Sequence, residues 1–264
     1  MSEIAVKRNF KRWAQLGYGS RGVVYLVIGG LALLTAFGEG GGTTDSRGAI
    51  LEILRQPFGR VLLGLMIVGL LGYVAWRFLQ AVKDTDGHGR SAKGIVVRAG
   101  LLASSVTHAV LAVWAIGLLI PGNGGSSGGQ GRESFLATDV GQIVLAVAGI
   151  AVFVAGFAQV YKGVAARFER HMSIPPDKKA WADPVCRFGL IARGIVWFII
   201  GWFLVNSAIT ASQGEIKGIA AALDAVRTAD YGQWLLAVVA AGLFSFGIYG
   251  ILEALYRRID MQEV

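Results

Sequence analysis

The sequence predicts an all-α integral membrane protein, with six transmembrane helices arranged as three parallel two-helix repeats. Three observations lead there. Of 264 residues, 54% are hydrophobic and another 38 are glycine, while only 16% are charged; an average soluble chain carries about 25%. So few charges cannot solvate a globular surface, and the mean hydropathy of +0.57 agrees. Six apolar stretches run along the chain, and they fall into three pairs of similar sequence. Residues 1–264 therefore read as one membrane domain.

A hydrocarbon core about 30 Å thick takes about 20 helical residues. The first stretch is 22–37, preceded by Lys7, Arg8, Phe10, Lys11, Arg12 and Trp13, a basic and aromatic run that reads as an interfacial anchor. It is no cleavable leader, because it lacks a small-residue cleavage site and its pattern recurs later in the chain. A glycine-rich loop (39–44) and a short amphipathic stretch (49–55) lead to the second span, 61–76. The third span is 99–120, followed by the glycine- and serine-rich loop 121–131, and the fourth is 140–161. Residues 163–188 form the longest inner segment, where Pro175, Pro176 and Pro184 are expected to break regular structure. The fifth span is 194–208; a second amphipathic stretch (216–227) precedes the sixth, 231–252. The amphipathic stretches should lie along the outer interface, each with an i,i+3 pair, Glu52/Arg55 and Asp224/Arg227. Spans one, two and five are short, so Arg21, Arg60, Arg77 and Arg193 are expected to snorkel to the headgroups.

With the N-terminus inside, 19 of the 25 lysines and arginines fall on cytoplasmic stretches. Only Arg47, Arg55, Arg60, Arg132, Lys217 and Arg227 face the other side. The positive-inside rule thus puts both termini in the cytoplasm, and the net charge of +8 marks contact with an anionic cytoplasmic leaflet. No basic cluster is interleaved with base-stacking aromatics, so nucleic acid is not the expected partner. The lipid bilayer is, with an unidentified membrane protein as a further possibility. Cys186, the single cysteine, has no intramolecular disulfide partner and fits a reducing compartment.

The repeats span about 14–83, 97–167 and 186–258. On the odd-numbered spans Gly17, Arg21, Gly22 and Tyr25 align with Gly189, Arg193, Gly194 and Trp197; the middle copy has Ser104, Ser105 and His108 instead of the arginine, glycine and aromatic. On the even-numbered spans Gly59, Gly141 and Gly232 open the copies, and Gln80, Lys162 and Glu253 close them. A two-span unit begins and ends on one side, so the copies are parallel and related by an axis along the membrane normal. Glycines at 64, 69 and 72 and at 242, 247 and 250 mark faces for close helix packing, or a glycine-lined path. The Gly17-Tyr18-x-x-Arg21-Gly22-Val23-x-Tyr25 opening resembles the bacterial domain of unknown function 1206 family. So do the Gln56-Pro57-Phe58-Gly59-Arg60 turn and the closing Glu253-Ala254-Leu255-Tyr256-Arg257-Arg258. The resemblance runs from about Trp13 to Arg258 and implies this architecture in a bacterial inner membrane, with no particular chemistry.

No His/Cys/Asp/Glu cluster has metal-ligand spacing. Gly87-His88-Gly89 lacks the Lys-Ser/Thr of a phosphate loop, and no carboxylate pair lies within a span. Neither enzyme, metal nor cofactor is expected. Intramembrane polar residues are the candidates: His108 with Ser104 one turn away, and Tyr25 and Trp197 at the same depth as His108. Arg21 and Arg193 are candidates for lipid phosphates at the boundary or, if they point inward, for an anion site on the pseudo-axis. Two readings follow: a non-enzymatic scaffold or accessory subunit, and a small transporter or channel lined by the first helices of each repeat. They differ in whether those residues face a cavity or lipid.

Overall fold

The structure, a computed structural model, describes residues 3–39, 41–85, 87, 89–120, 138–209 and 219–258, with side chains from residue 15 onward apart from that of Asp139. The side chains of the expected anchor (6–13), His88, the loop 121–131 and residues 216–218 lie outside the described residues.

Eight α-helices form among the described residues. They are α1 (Glu3–Ala36), α2 (Ser46–Arg55), α3 (Gly59–Lys83), α4 (Ala92–Leu119), α5 (Asp139–Val164), α6 (Pro176–Ile209), α7 (Ile219–Arg227) and α8 (Gly232–Tyr256), with a 3-10 turn at Arg167–His171. Six of them are long and apolar enough to cross a membrane: α1 from Gln15, then α3, α4, α5 from Val140, α6 and α8. The backbone explains this choice: in hydrocarbon a helix satisfies its own N–H and C=O groups. The amphipathic α2 and α7 each end in the expected ion pair, Arg55–Glu52 at 3.4 Å and Arg227–Asp224 at 2.7 Å.

The inner segment 163–188 departs from expectation. α5 ends at Val164, and α6 starts at Pro176 and runs through Pro184. Pro176 suits a first helical turn, where its N–H would be unpaired anyway. Pro184 forfeits one helical hydrogen bond, but it is exposed on a face opposite the buried Ala182, Cys186 and Leu190. Water can satisfy the freed carbonyl there, and packing of the buried face holds the helix straight through. Beyond the 3-10 turn, Ser173 N–H donates to the Tyr256 carbonyl at 2.8 Å and Arg258 N–H to the His171 carbonyl at 2.9 Å, tying this segment to the end of α8.

The spans pack in the order α4–α3–α1–α8–α6–α5. These are five of the six neighbour contacts of a closed ring; among the described residues α4 and α5 have no comparable contact with one another. They are also the least enclosed, with 17% and 11% of their apolar stretches buried against 44–56% for the other four.

Close approaches recur at positions that the sequence alignment makes equivalent. Within one helix pair a Cβ on Gly17 would meet the Tyr73 backbone; within another, a Cβ on Gly189 would meet that of Phe246. Gly100, the equivalent on α4, has open space beside it. Between pairs, Gly22 abuts Gly247 and Ile251, and Gly194 abuts Gly156 and Val160. The corresponding place on α4 is Ser105, whose hydroxyl donates to the Val74 carbonyl at 2.9 Å. A hydrogen bond thus joins α4 to α3 where glycine joins the others. The turn into α3 and the turn into α8 match as well: Phe58 (φ 61°) and Tyr231 (φ 58°) are left-handed, and the next residue, Gly59 or Gly232, lies against a carbonyl that leaves no room for a Cβ. Of the sequence-marked glycines, Gly69, Gly242, Gly247 and Gly250 sit in helix contacts, while Gly64 has nothing beside it.

Candidate functional site

The odd-numbered spans α1, α4 and α6 face a common space. A cavity of about 350 Å³ is lined by Arg21, Tyr25, Thr107, His108, Arg193 and Trp197, with Leu70 and Leu111 as apolar wall and Asp45, Ser46, Arg47 and Ile219 at the end opposite the basic helix termini. Tyr25, His108 and Trp197, one from each of these helices, line it without filling it.

Arg21 and Arg193 do not snorkel. They are 7% and 8% exposed, because α1 and α6 extend well beyond them on the side where the sequence suggested a boundary. Buried arginine stays charged and needs partners. Arg21 donates through Nη2 to a Glu253 carboxylate oxygen and through Nη1 to the Tyr73 hydroxyl at 3.1 Å. The other Glu253 oxygen accepts from Arg257 at 2.7 Å. Arg77, also expected to snorkel, donates to the Tyr73 hydroxyl at 2.8 Å and to Gln80 at 3.1 Å. Tyr18, fully buried, has the guanidiniums of Arg21, Arg77 and Arg257 at 5.5, 5.8 and 4.9 Å from its ring centre, and its hydroxyl accepts from Trp76 at 2.9 Å. This cluster of aromatic rings, arginines and one carboxylate adjoins the cavity through Arg21. Arg60 is exposed and donates to the Leu119 carbonyl at 2.9 Å.

Arg193 is held differently. Its Nε donates to the Tyr25 hydroxyl at 3.2 Å, and its guanidinium lies 3.9 Å from the Trp197 ring centre and 4.5 Å from that of Phe246. Stacking on ring faces stabilises a desolvated cation, by about 2 kcal/mol in favourable cases. His108 is half-buried: Nδ1 lies 2.8 Å from the Ser104 carbonyl one turn back, and the ring packs at 4.6 Å on Tyr73. A carbonyl can only accept, so Nδ1 carries the proton and Nε2 is left as the acceptor. Ser104 is half-buried and stands outside the cavity wall.

Sequence reasoning missed Glu253, Tyr73 and Arg47. Glu253 carried a signal, as the one acid among the equivalent closing residues Gln80, Lys162 and Glu253. Arg47 carried none: it reaches the cavity because Asp45 caps α2, its Oδ1 accepting from the N–H groups of Arg47 and Gly48 at 3.0 and 2.9 Å.

Six spans, four of which line a polar, partly basic cavity, define a multi-pass α-helical membrane protein. Its sequence matches the model of the domain of unknown function 1206 family over residues 16–84 and 188–257. It is also 34% identical over 260 residues to the uncharacterized protein YxxB of Bacillus subtilis (strain 168), covering 96% of this chain and 93% of that one. The chain belongs to this family. The two matched regions run from Leu16 on α1 through α3 and from Phe188 on α6 through α8, and the unmatched stretch between them holds α4, where serine and histidine replace arginine, glycine and aromatic. No solved structure matches.

Proposed function

We propose that this protein spans a bacterial cytoplasmic membrane with both termini inside, and that it binds and passes a small solute between the first helices of three parallel repeats, without catalysing a reaction. The observation that carries this reading is the shared lining: Tyr25, His108 and Trp197 meet Arg21 and Arg193 around one cavity. Charged and polar groups within a span are costly and mark functional paths. A scaffold held by glycine faces has no use for them at its centre. A volume of about 350 Å³ is that of a small-molecule site. The mouth near Asp45 and Arg47 would open outward, while the Arg21–Glu253–Arg257 cluster would block the inner end. Passage would then require that cluster to move. The non-enzymatic character is supported by how the polar groups are engaged: Glu253 is bound by two arginines and His108 Nδ1 by a carbonyl. The orientation is supported by the 19-to-6 distribution of basic residues.

The second reading, a non-enzymatic scaffold or accessory subunit, is favoured by one observation: the seam between α4 and α5, the two least enclosed spans. Thiol labelling separates the two. In a Cys186→Ala background reconstituted in bilayers, Leu111→Cys in the cavity wall should react with a membrane-impermeant reagent added outside. Val106→Cys, at a residue 56% exposed on the apolar outer face of α4, should stay silent. Silence at both positions favours the scaffold.

A further inference from the structure

We propose that the solute of this cavity is a phosphate-class oxyanion, free or as a lipid headgroup, and that Arg193 is its principal ligand. The proposal rests on the reading of the cavity as a solute site. Arg21 and Arg193 occupy equivalent positions but differ in neutralisation. Arg21 has Glu253 and the Tyr73 hydroxyl. Arg193 bonds only Tyr25, through Nε; its two Nη groups have no hydrogen-bond partner, and no carboxylate pairs with it, among the described residues. It is 8% exposed, and it lines the cavity.

The repeat itself accounts for the difference. α1 packs against α8, which carries Glu253; α6 packs in the equivalent way against α5, which carries Lys162 at the Glu253 position. The third such contact, α4 on α3, brings together helices carrying Ser104 and Gln80, both neutral. The arrangement that supplies Arg21 with a carboxylate thus gives Arg193 a helix bearing a second cation. Its guanidinium turns instead to Tyr25 and Trp197, with both Nη groups left for a ligand.

Three arginines line the cavity, Arg21, Arg47 and Arg193, against one acid, Asp45. Asp45 Oδ1 is occupied by the N-terminus of α2, and the Arg47 guanidinium lies 5.4 Å from the Trp114 ring centre. A fixed guanidinium fork with two open N–H pairs suits the paired oxygens of an oxyanion. His108 Nε2, an acceptor, favours a ligand that also carries an O–H, such as monohydrogen phosphate or a hydroxyl-bearing headgroup, over a bare carboxylate. Trp197, Tyr25 and Phe246 exclude water around the fork and raise the strength of its charge-assisted bonds.

The test uses the full chain in nanodiscs of pure phosphatidylcholine, with inorganic phosphate titrated calorimetrically, and in parallel nanodiscs containing phosphatidylglycerol, with retained lipid quantified after purification. Saturable phosphate binding identifies a free anion as the source; retention of phosphatidylglycerol alone identifies a headgroup; either is expected to fall at least tenfold in Arg193→Gln. Should that variant fail to fold, Arg193→Lys and Tyr25→Phe keep the comparison, each expected to weaken binding several-fold. Absence of both ligands, or binding unchanged across these variants, overturns the proposal. Leu111→Cys labelling in the same samples keeps the two readings apart. A reactive thiol that neither inorganic phosphate nor phosphatidylglycerol protects removes the anion and leaves the solute cavity, whereas an unreactive thiol removes both.

Discussion

At the residue scale the decisive group is Glu253, one carboxylate shared by the buried Arg21 and Arg257. Removing one partner of a buried ion pair strands the other and costs about 3–5 kcal/mol, whereas replacing both with apolar groups of similar volume is often close to neutral. Glu253→Gln should therefore lower unfolding stability in detergent by about that amount. Arg21→Met combined with Glu253→Leu should recover much of the loss, although Arg257 remains. A loss in the double variant equal to the sum of the losses in Arg21→Met and Glu253→Leu alone would show that the pair is not coupled. Ser105 is a milder case: its bond to the Val74 carbonyl joins α4 to α3, and Ser105→Ala should cost about 0.6 kcal/mol, a typical interhelical hydrogen bond in a membrane. Sequence alone named Arg21, Arg193 and His108 as the polar residues to watch, because charge within a span is rare. It could not name their partners, since Glu253 is 232 residues from Arg21 and reaches it only when α8 packs on α1.

At the element scale, glycine placement decides which helices touch. A Cβ on Gly22 would stand 2.8 Å from the Gly247 carbonyl oxygen, and one on Gly194 would stand 2.8 Å from that of Gly156. Both neighbours are backbone and cannot step aside. Gly22→Ala and Gly194→Ala should each destabilise by about 1–3 kcal/mol, the range for overpacked sites. Gly100→Ala and Gly64→Ala, with nothing within 4 Å, should be neutral or gain up to about 1 kcal/mol from better helix propensity. Thermal unfolding of the four variants checks the contrast, and loss at Gly100 would mean that α4 packs against something through that face. The spans and the two amphipathic helices were legible from hydropathy and glycine punctuation. The long start of α6 was not, because proline normally ends a helix, and only the burial of Ala182, Cys186 and Leu190 on its other face outweighs Pro184.

At the scale of the whole molecule, the repeats and the basic residues together fix expectations for topology and centre. A reporter active only in the cytoplasm should work when fused after Val264 and be silent when inserted at Gly125, a position outside the described residues. The opposite pattern would overturn the inside placement of the termini. The alignment led to the expectation that Tyr25, His108 and Trp197 lie at one depth; that they line a cavity instead of packing shut was not readable, because the volume depends on how the helices space themselves. The most direct measurement of that shared centre is pairwise cysteine cross-linking in bilayers, in a Cys186→Ala background, with a short bifunctional thiol reagent. The pairs are Tyr25→Cys with His108→Cys, Tyr25→Cys with Trp197→Cys, and His108→Cys with Trp197→Cys. All three pairs should cross-link within one chain, because each lines the same cavity. Failure of all three, with each single thiol unreactive to water-soluble reagents, would contradict a common centre.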